Sequence, residues 1–213
     1  MQIYWYGESC FKLQSSDFTI LIDPEAPKKA GLRGPNYKAD IVLLSDPDSK
    51  DALKGKIAPE SFCINEPGEY EVKNIFLEAF PYYDKNKISS VVYRLLFEDI
   101  TFCFLGPINS VLPEEIVERI GEVDVLFVPV GDSGVLDADA ADRLINEIEP
   151  KIIIPSNFYT EDLTIKRDKA EKILKKIGKK DIQSRDKLSI NKRDFVGGDL
   201  LKEKAIVLEV KTL

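Results

Sequence analysis

Over the first hundred positions, apolar residues come in short or alternating runs: 3–5, 10–13, 19–22, 41–44, 61–64, 70–79, 90–97 and 101–105. Gly, Pro, Asp or Asn interrupt each run, which is the pattern of strands separated by turns. Glu98-Asp99 predicts a tight turn between the last two runs. The spacing then changes. Pro113 opens a helix that Gly121 closes, following the preference for proline at helix starts and glycine at helix ends. Positions 124–130 form a buried strand, and Asp137 caps a helix in which Ala141, Leu144, Ile145 and Ile148 share one face. A strand at 151–154, a basic helix over about 167–178 and a strand near 205–210 complete the series. Strands first, then strands alternating with helices, predict a layered α+β or α/β fold. No repeat, low-complexity tract or linker divides residues 1–213, so the expectation is a single domain.

Composition narrows the class. With 44% hydrophobic and 31% charged residues, the chain falls among soluble globular proteins. No apolar run is long enough to span a bilayer, and the first residues lack the basic region and cleavage site of a signal peptide. Cys10, Cys63 and Cys103 are scattered and form no CxxC pair. The expectation is a cytoplasmic protein without a membrane partner. The net charge of −7 is unevenly distributed: residues 166–193 hold 12 Lys or Arg against 4 Asp or Glu, leaving −15 for the remainder. That basic stretch raises a nucleic-acid reading. Ala170, Ile173, Leu174 and Ile177 instead make it the solvated face of an amphipathic helix, and no aromatic residues interleave as a base-stacking surface needs.

Several phrases fix the fold more sharply: Gly7-Glu8-Ser9-Cys10-Phe11, Ile22-Asp23-Pro24, Pro67-Gly68-Glu69-Tyr70-Glu71-Val72, the stretch from Gly121 to Gly131, and Glu149 to Pro155. In this colinear order they resemble the small Zn-dependent hydrolases of the metallo-β-lactamase superfamily, across nearly the whole chain. The resemblance implies a four-layer αβ/βα sandwich and a metal site built mainly from histidine.

This chain has no histidine at all. The family's metal loop has the form Ser/Thr-His-x-His-x-Asp-His. Here Asp46, Asp48 and Asp51 occupy its histidine positions, and Lys50 occupies that of the aspartate. The remaining aligned ligand positions are Glu8, Asp84, Pro107 and Asn157. Zinc favours imidazole and thiolate, so these residues predict no zinc and no resident cofactor. Asp46, Asp48, Asp51 and Asp84 leave open a hard cation such as Mg²⁺, Mn²⁺ or Ca²⁺, with Lys50 stabilising negative charge. The relict alternative makes them solvated or salt-bridged carboxylates.

Other nucleophilic chemistry finds no support. Gly131-Asp132-Ser133-Gly134 resembles a serine-protease phrase but has no histidine base. Cys10 has an acidic neighbour, Glu8, which disfavours a thiolate. The leading expectation is therefore a non-catalytic pseudoenzyme with a binding or scaffold role, its partner a protein or small molecule of unknown identity and a homo-oligomer one form of that role. The competing expectation is a divergent hydrolase using a hard cation, and the third is a nucleic-acid binder.

Overall fold

The computed structural model describes residues 1–16, 18–84, 87–179, 183–196 and 200–211. Its frame is two mixed six-stranded sheets packed face to face. The first sheet holds β1 (Gln2–Trp5), β2 (Phe11–Ser15), β3 (Phe18–Ile22), β4 (Ile41–Leu43), β5 (Phe62–Ile64) and β12 (Leu188–Ser189), in the order β12-β1-β2-β3-β4-β5. The second holds β6 (Gly68–Val72), β7 (Ile75–Asp84), β8 (Lys87–Phe97), β9 (Ile100–Phe104), β10 (Val125–Pro129) and β11 (Ile152–Ser156), in the order β11-β10-β9-β8-β7-β6. In each sheet one side is antiparallel and the other parallel: β3-β4-β5 in the first, β9-β10-β11 in the second. Helices α1 (Ala26–Lys29), α2 (Glu114–Ile120), α3 (Ala138–Ile148), α4 (Glu171–Lys176) and α5 (Leu200–Glu203) complete the expected α+β sandwich.

Alternation explains why the first sheet is covered on both faces. Ile3, Trp5, Phe11, Leu13, Ile20 and Ile22 enter the main core between the sheets. Their neighbours Tyr4, Leu21 and Val42 point the other way into a second cluster, closed by Leu53. Between the sheets, Phe11 meets Phe127 at 4.5 Å, and Phe127 stacks on Phe104 at 4.2 Å. Such ring pairs bury large apolar area with defined geometry. Tyr93 of β8 also reaches across, and its buried hydroxyl donates to the Leu44 (2.7 Å) and Ile64 (3.0 Å) carbonyls.

Asp137 caps α3 as expected by accepting from Ala140 N, and Ala141, Leu144, Ile145 and Ile148 are its buried face. Pro113 sits one position earlier than expected, as the N-cap of α2. Glu98-Asp99 turns β8 into β9 with φ values of 53° and 61°. Three expectations need correction. The run 70–79 is not one strand, because Lys73 (φ 51°) and Asn74 (φ 65°) turn β6 into β7. Two adjacent positive-φ residues are the geometry of a tight hairpin. The basic helix is shorter than predicted, since Tyr159 N donates to Asp168 O (2.8 Å) and Asp168 N to Gly131 O (2.7 Å). Those bonds hold 167–168 out of the helical register. Finally, 205–210 is no continuous strand: it bridges Ala205 to Ile153 of the second sheet and Val210 to Trp5 of the first.

The Tyr93 strut yields a test. Tyr93→Phe leaves the buried Leu44 carbonyl short of a donor, and should lower unfolding free energy by about 1–2 kcal/mol in urea titration.

Candidate functional site

The loops that follow β1, β3, β4, β9 and β11 converge on a cleft of about 260 Å³. Glu8, Asp46, Pro107 and Asn157 of the predicted positions line it, together with Asp23 and Arg167. A larger open groove of about 1680 Å³ runs between Trp5, Tyr159 and the C-terminal segment, and no predicted site residue lines it.

Three residues lining the smaller cleft have strained backbones. Glu8 (φ 48°), Asp23 (φ 46°) and Asn157 (φ 52°) are non-glycine residues in the left-handed region. Such conformations persist only where surrounding contacts over-determine them. At Glu8 those contacts are dense. Trp5 Nε1 donates to its carbonyl at 2.8 Å, and Asn157 Nδ2 donates to its carboxylate at 3.0 Å. Arg167 adds Nη2 to Oε2 at 2.6 Å and Nε to Oε1 at 3.2 Å, giving a forked ion pair. The two side chains are only 9% and 6% exposed. The remaining guanidinium nitrogen, Nη1, donates to the Ser133 carbonyl at 2.7 Å. Gly131 is needed beneath it, because a Cβ there would lie 1.7 Å from Asn157 O and 2.7 Å from Arg167 Cδ.

Asp46 caps the 3-10 helix Pro47–Leu53 through Asp48 N. Its Oδ2 accepts from Lys29 Nζ (2.7 Å) and Ser49 Oγ (2.8 Å). Partial burial works to raise its pKa, but the Lys29 and Ser49 hydrogen bonds prevail and hold it below the usual carboxylate value. The same 3-10 helix turns Ser49 and Leu53 inward and leaves Asp48, Lys50 and Asp51 exposed. Asp51 pairs with Lys54 instead, at 2.7 Å. Asp84 ends β7, and its side chain lies outside the described residues. Of the expected Asp46-Asp48-Asp51-Asp84 set, Asp46, Asp48 and Asp51 do not converge: among the described residues, which leave out the Asp84 side chain, no three acidic, cysteine or histidine groups gather as a metal site would.

Two important residues were absent from the predicted set. Asp23 lay in the Ile-Asp-Pro phrase, at the end of a wholly apolar run, which was a usable signal. Arg167 gave none; it was one basic residue in a basic stretch. Asp23 is buried, and its Oδ1 accepts from Ser45 N at 2.6 Å. Burial pushes its pKa up to about 6, the nearby Ser9 and Ser45 groups temper the rise, and Asp46 adds to it. Cys10 is fully buried, which pushes its thiol well up and removes it as a nucleophile.

This arrangement of sheets, loops and cleft defines a metallo-β-lactamase-fold protein. The family model described as "Beta-lactamase superfamily domain" matches residues 2–157, and the chain belongs to that family. It is 25% identical over 199 residues to a UPF0173 metal-dependent hydrolase of Lysinibacillus sphaericus, covering 75% of this chain and 86% of the relative. A UPF0173 protein of Pyrococcus abyssi is 24% identical over 184 residues, covering 75% and 84%. Among solved structures, a candidate Zn-dependent hydrolase of the metallo-β-lactamase superfamily from Thermotoga maritima superposes with a TM-score of 0.80. It is 26% identical and covers 99% of both chains. Igni18, a metallo hydrolase of Ignicoccus hospitalis, has a TM-score of 0.65 at 12% identity, covering 89% of this chain and 99% of its own, and shows the fold alone.

These relatives correct the expectation of no cofactor. Proteins named metal-dependent and Zn-dependent hydrolases imply a metal for this fold. The donors at the cleft do not fit the zinc that the neighbour's name implies, however. Glu8, Asp23, Asp46 and Asn157 present oxygen and amide groups where zinc favours nitrogen and sulfur. Glu8 and Asp46 are, in addition, already bound by Arg167 and Lys29.

Removing one side of a buried ion pair strands the other charge. Arg167→Met should therefore lower stability by about 3–5 kcal/mol in denaturant titration at neutral pH. Asp23 gives the pH test. Its folded pKa of about 6 lies above its ordinary value of 3.8, so its contribution is fully present below the ordinary value and lost as pH rises through about 6. Asp23→Asn removes that ionisation. Relative to wild type it should gain up to about 3 kcal/mol between pH 4 and pH 7.5, measured by urea unfolding at both.

Proposed function

We propose that this chain is a binding protein on the metallo-β-lactamase scaffold, whose cleft is held shut by the Glu8–Arg167 pair. The observation that carries this reading is the guanidinium itself, bonded to Glu8, whose carboxylate also accepts from Asn157; Glu8 and Asn157 are two positions where the family phrases carry histidine. A guanidinium stays protonated and has no lone pair, so it serves neither as a base nor as a nucleophile. With no histidine in the chain, the acid-base repertoire of the cleft reduces to carboxylates and Lys29, which is already bonded to Asp46. Its partner is a protein or a small molecule, and self-association remains one form of such a role.

A second reading, hydrolysis assisted by a hard cation, draws support from the names of the relatives. Nucleic-acid binding draws little. Within the basic stretch, Arg167, Lys172, Lys176, Arg185 and Lys192 are each paired with a carboxylate.

Turnover assays separate the first two readings. With an ester, a lactone and a phosphodiester, each in Mg²⁺, Mn²⁺, Ca²⁺ and Zn²⁺, the binding role gives no rate above the protein-free background. A saturable rate roughly tenfold above background with one ion, lost in both Asp46→Ala and Glu8→Ala, would establish the hydrolase instead.

A further inference from the structure

Asp23 lines the cleft, and Ser45 and Ser90 lie buried outside its lining; Asp23 Oδ2, Ser45 Oγ and Ser90 Oγ are buried without a geometrically formed hydrogen bond. Asp23 is 8% exposed, Ser45 0% and Ser90 2%. They arrive from three different elements, at the ends of β3 and β4 and within β8. Their convergence is built into the backbone: Ser45 N donates to Asp23 Oδ1 at 2.6 Å, and Val91 N donates to Ser45 O at 2.8 Å. Both hydroxyls lie against Gly106, at 2.6 Å (Ser45) and 3.3 Å (Ser90) from where its Cβ would stand. Glycine at 106, with φ +66°, leaves room for them. Buried polar atoms are almost always satisfied, and an orphan group is a common sign of an ordered water or ion.

Charge distinguishes those two occupants. The other carboxylates lining the cleft each have a cation: Glu8 has Arg167, Asp46 has Lys29 and Glu25 has Lys56. Asp23 is ion-paired with none among the described residues. A water would satisfy the hydrogen bonds but leave a buried negative charge uncompensated, which is costly. One carboxylate and two hydroxyls form a hard oxygen set carrying a single unit of charge.

We propose that a monovalent alkali cation, Na⁺ or K⁺, binds between Asp23 Oδ2 and the Ser45 and Ser90 hydroxyls. It completes the charge balance of the cleft and braces the loop after β4 against β8. The proposal holds whether or not the cleft turns over a substrate, and it uses none of Asp48, Lys50, Asp51 or Asp84.

The experiment is thermal unfolding of the full chain at pH 7.5 in NaCl, KCl or tetramethylammonium chloride at equal ionic strength. Na⁺ or K⁺ should raise the midpoint saturably by roughly 3 °C over tetramethylammonium. Ser90→Ala should reduce the shift and Asp23→Asn should abolish it. At pH 4.5 the shift should vanish with protonation of Asp23. Of its titratable neighbours, Cys10 and Tyr93 stay neutral at both pH values, because burial pushes both up, and Asp46 is held low. Equal midpoints in the three salts, or a shift that survives Asp23→Asn, would each overturn the proposal. If Asp23→Asn fails to fold, crystals soaked in Rb⁺ decide: an anomalous peak within about 3 Å of Asp23 Oδ2 supports the site, and its absence overturns it.

Discussion

A buried carboxylate–guanidinium pair links the first turn of the chain to position 167, and the cleft depends on it. Glu8 sits at a positive φ that an L-residue adopts at a cost, and it is retained because Trp5, Asn157 and Arg167 bind its carbonyl and carboxylate. Arg167 reaches that place only because its backbone is pinned to Gly131 through Asp168, which delays the start of α4 to Glu171. Gly131 in turn has no room for a side chain. One ion pair thus couples the turn after β1, the loop after β10, the residue after β11 and the approach to α4. A forked, largely buried pair of this kind fixes geometry more than it adds net stability.

The family's chemistry and this chain's residues meet at the same cleft with different charge arrangements. The relatives' names imply a metal cation. Here the positive charges lining the cleft among the described residues are side chains, Arg167 on Glu8 and Lys29 on Asp46. Asp23, below them, is buried, which pushes its pKa up to about 6, while the Lys29 and Ser49 hydrogen bonds hold Asp46 low. The two acids belong to one fold motif, yet their surroundings push them in opposite directions.

Much of the scaffold was legible because local signals agreed with tertiary demand. Asp137 and the Ala141-Leu144-Ile145-Ile148 face marked α3, and Glu98-Asp99 marked a hairpin. Lys73-Asn74 makes the same kind of turn but falls inside the run 70–79, so two strands read as one. The metal-loop spacing was also legible, but spacing does not carry orientation. The 3-10 helix turns Asp48, Lys50 and Asp51 to solvent and keeps only Asp46 at the cleft. Arg167 was beyond reach of any local pattern, since its partner lies 159 residues away in sequence. Pairings at that distance are set by the whole fold.

The central claim is that Glu8 and Arg167 act as one unit, and a double-mutant cycle tests it most directly. Unfolding free energies of wild type, Glu8→Gln, Arg167→Met and the double variant give the coupling between the two side chains. The account predicts a coupling of about 2–3 kcal/mol, with the double variant more stable than Arg167→Met alone. A coupling near zero, with the two losses simply adding, would mean that the pair does not organise the cleft.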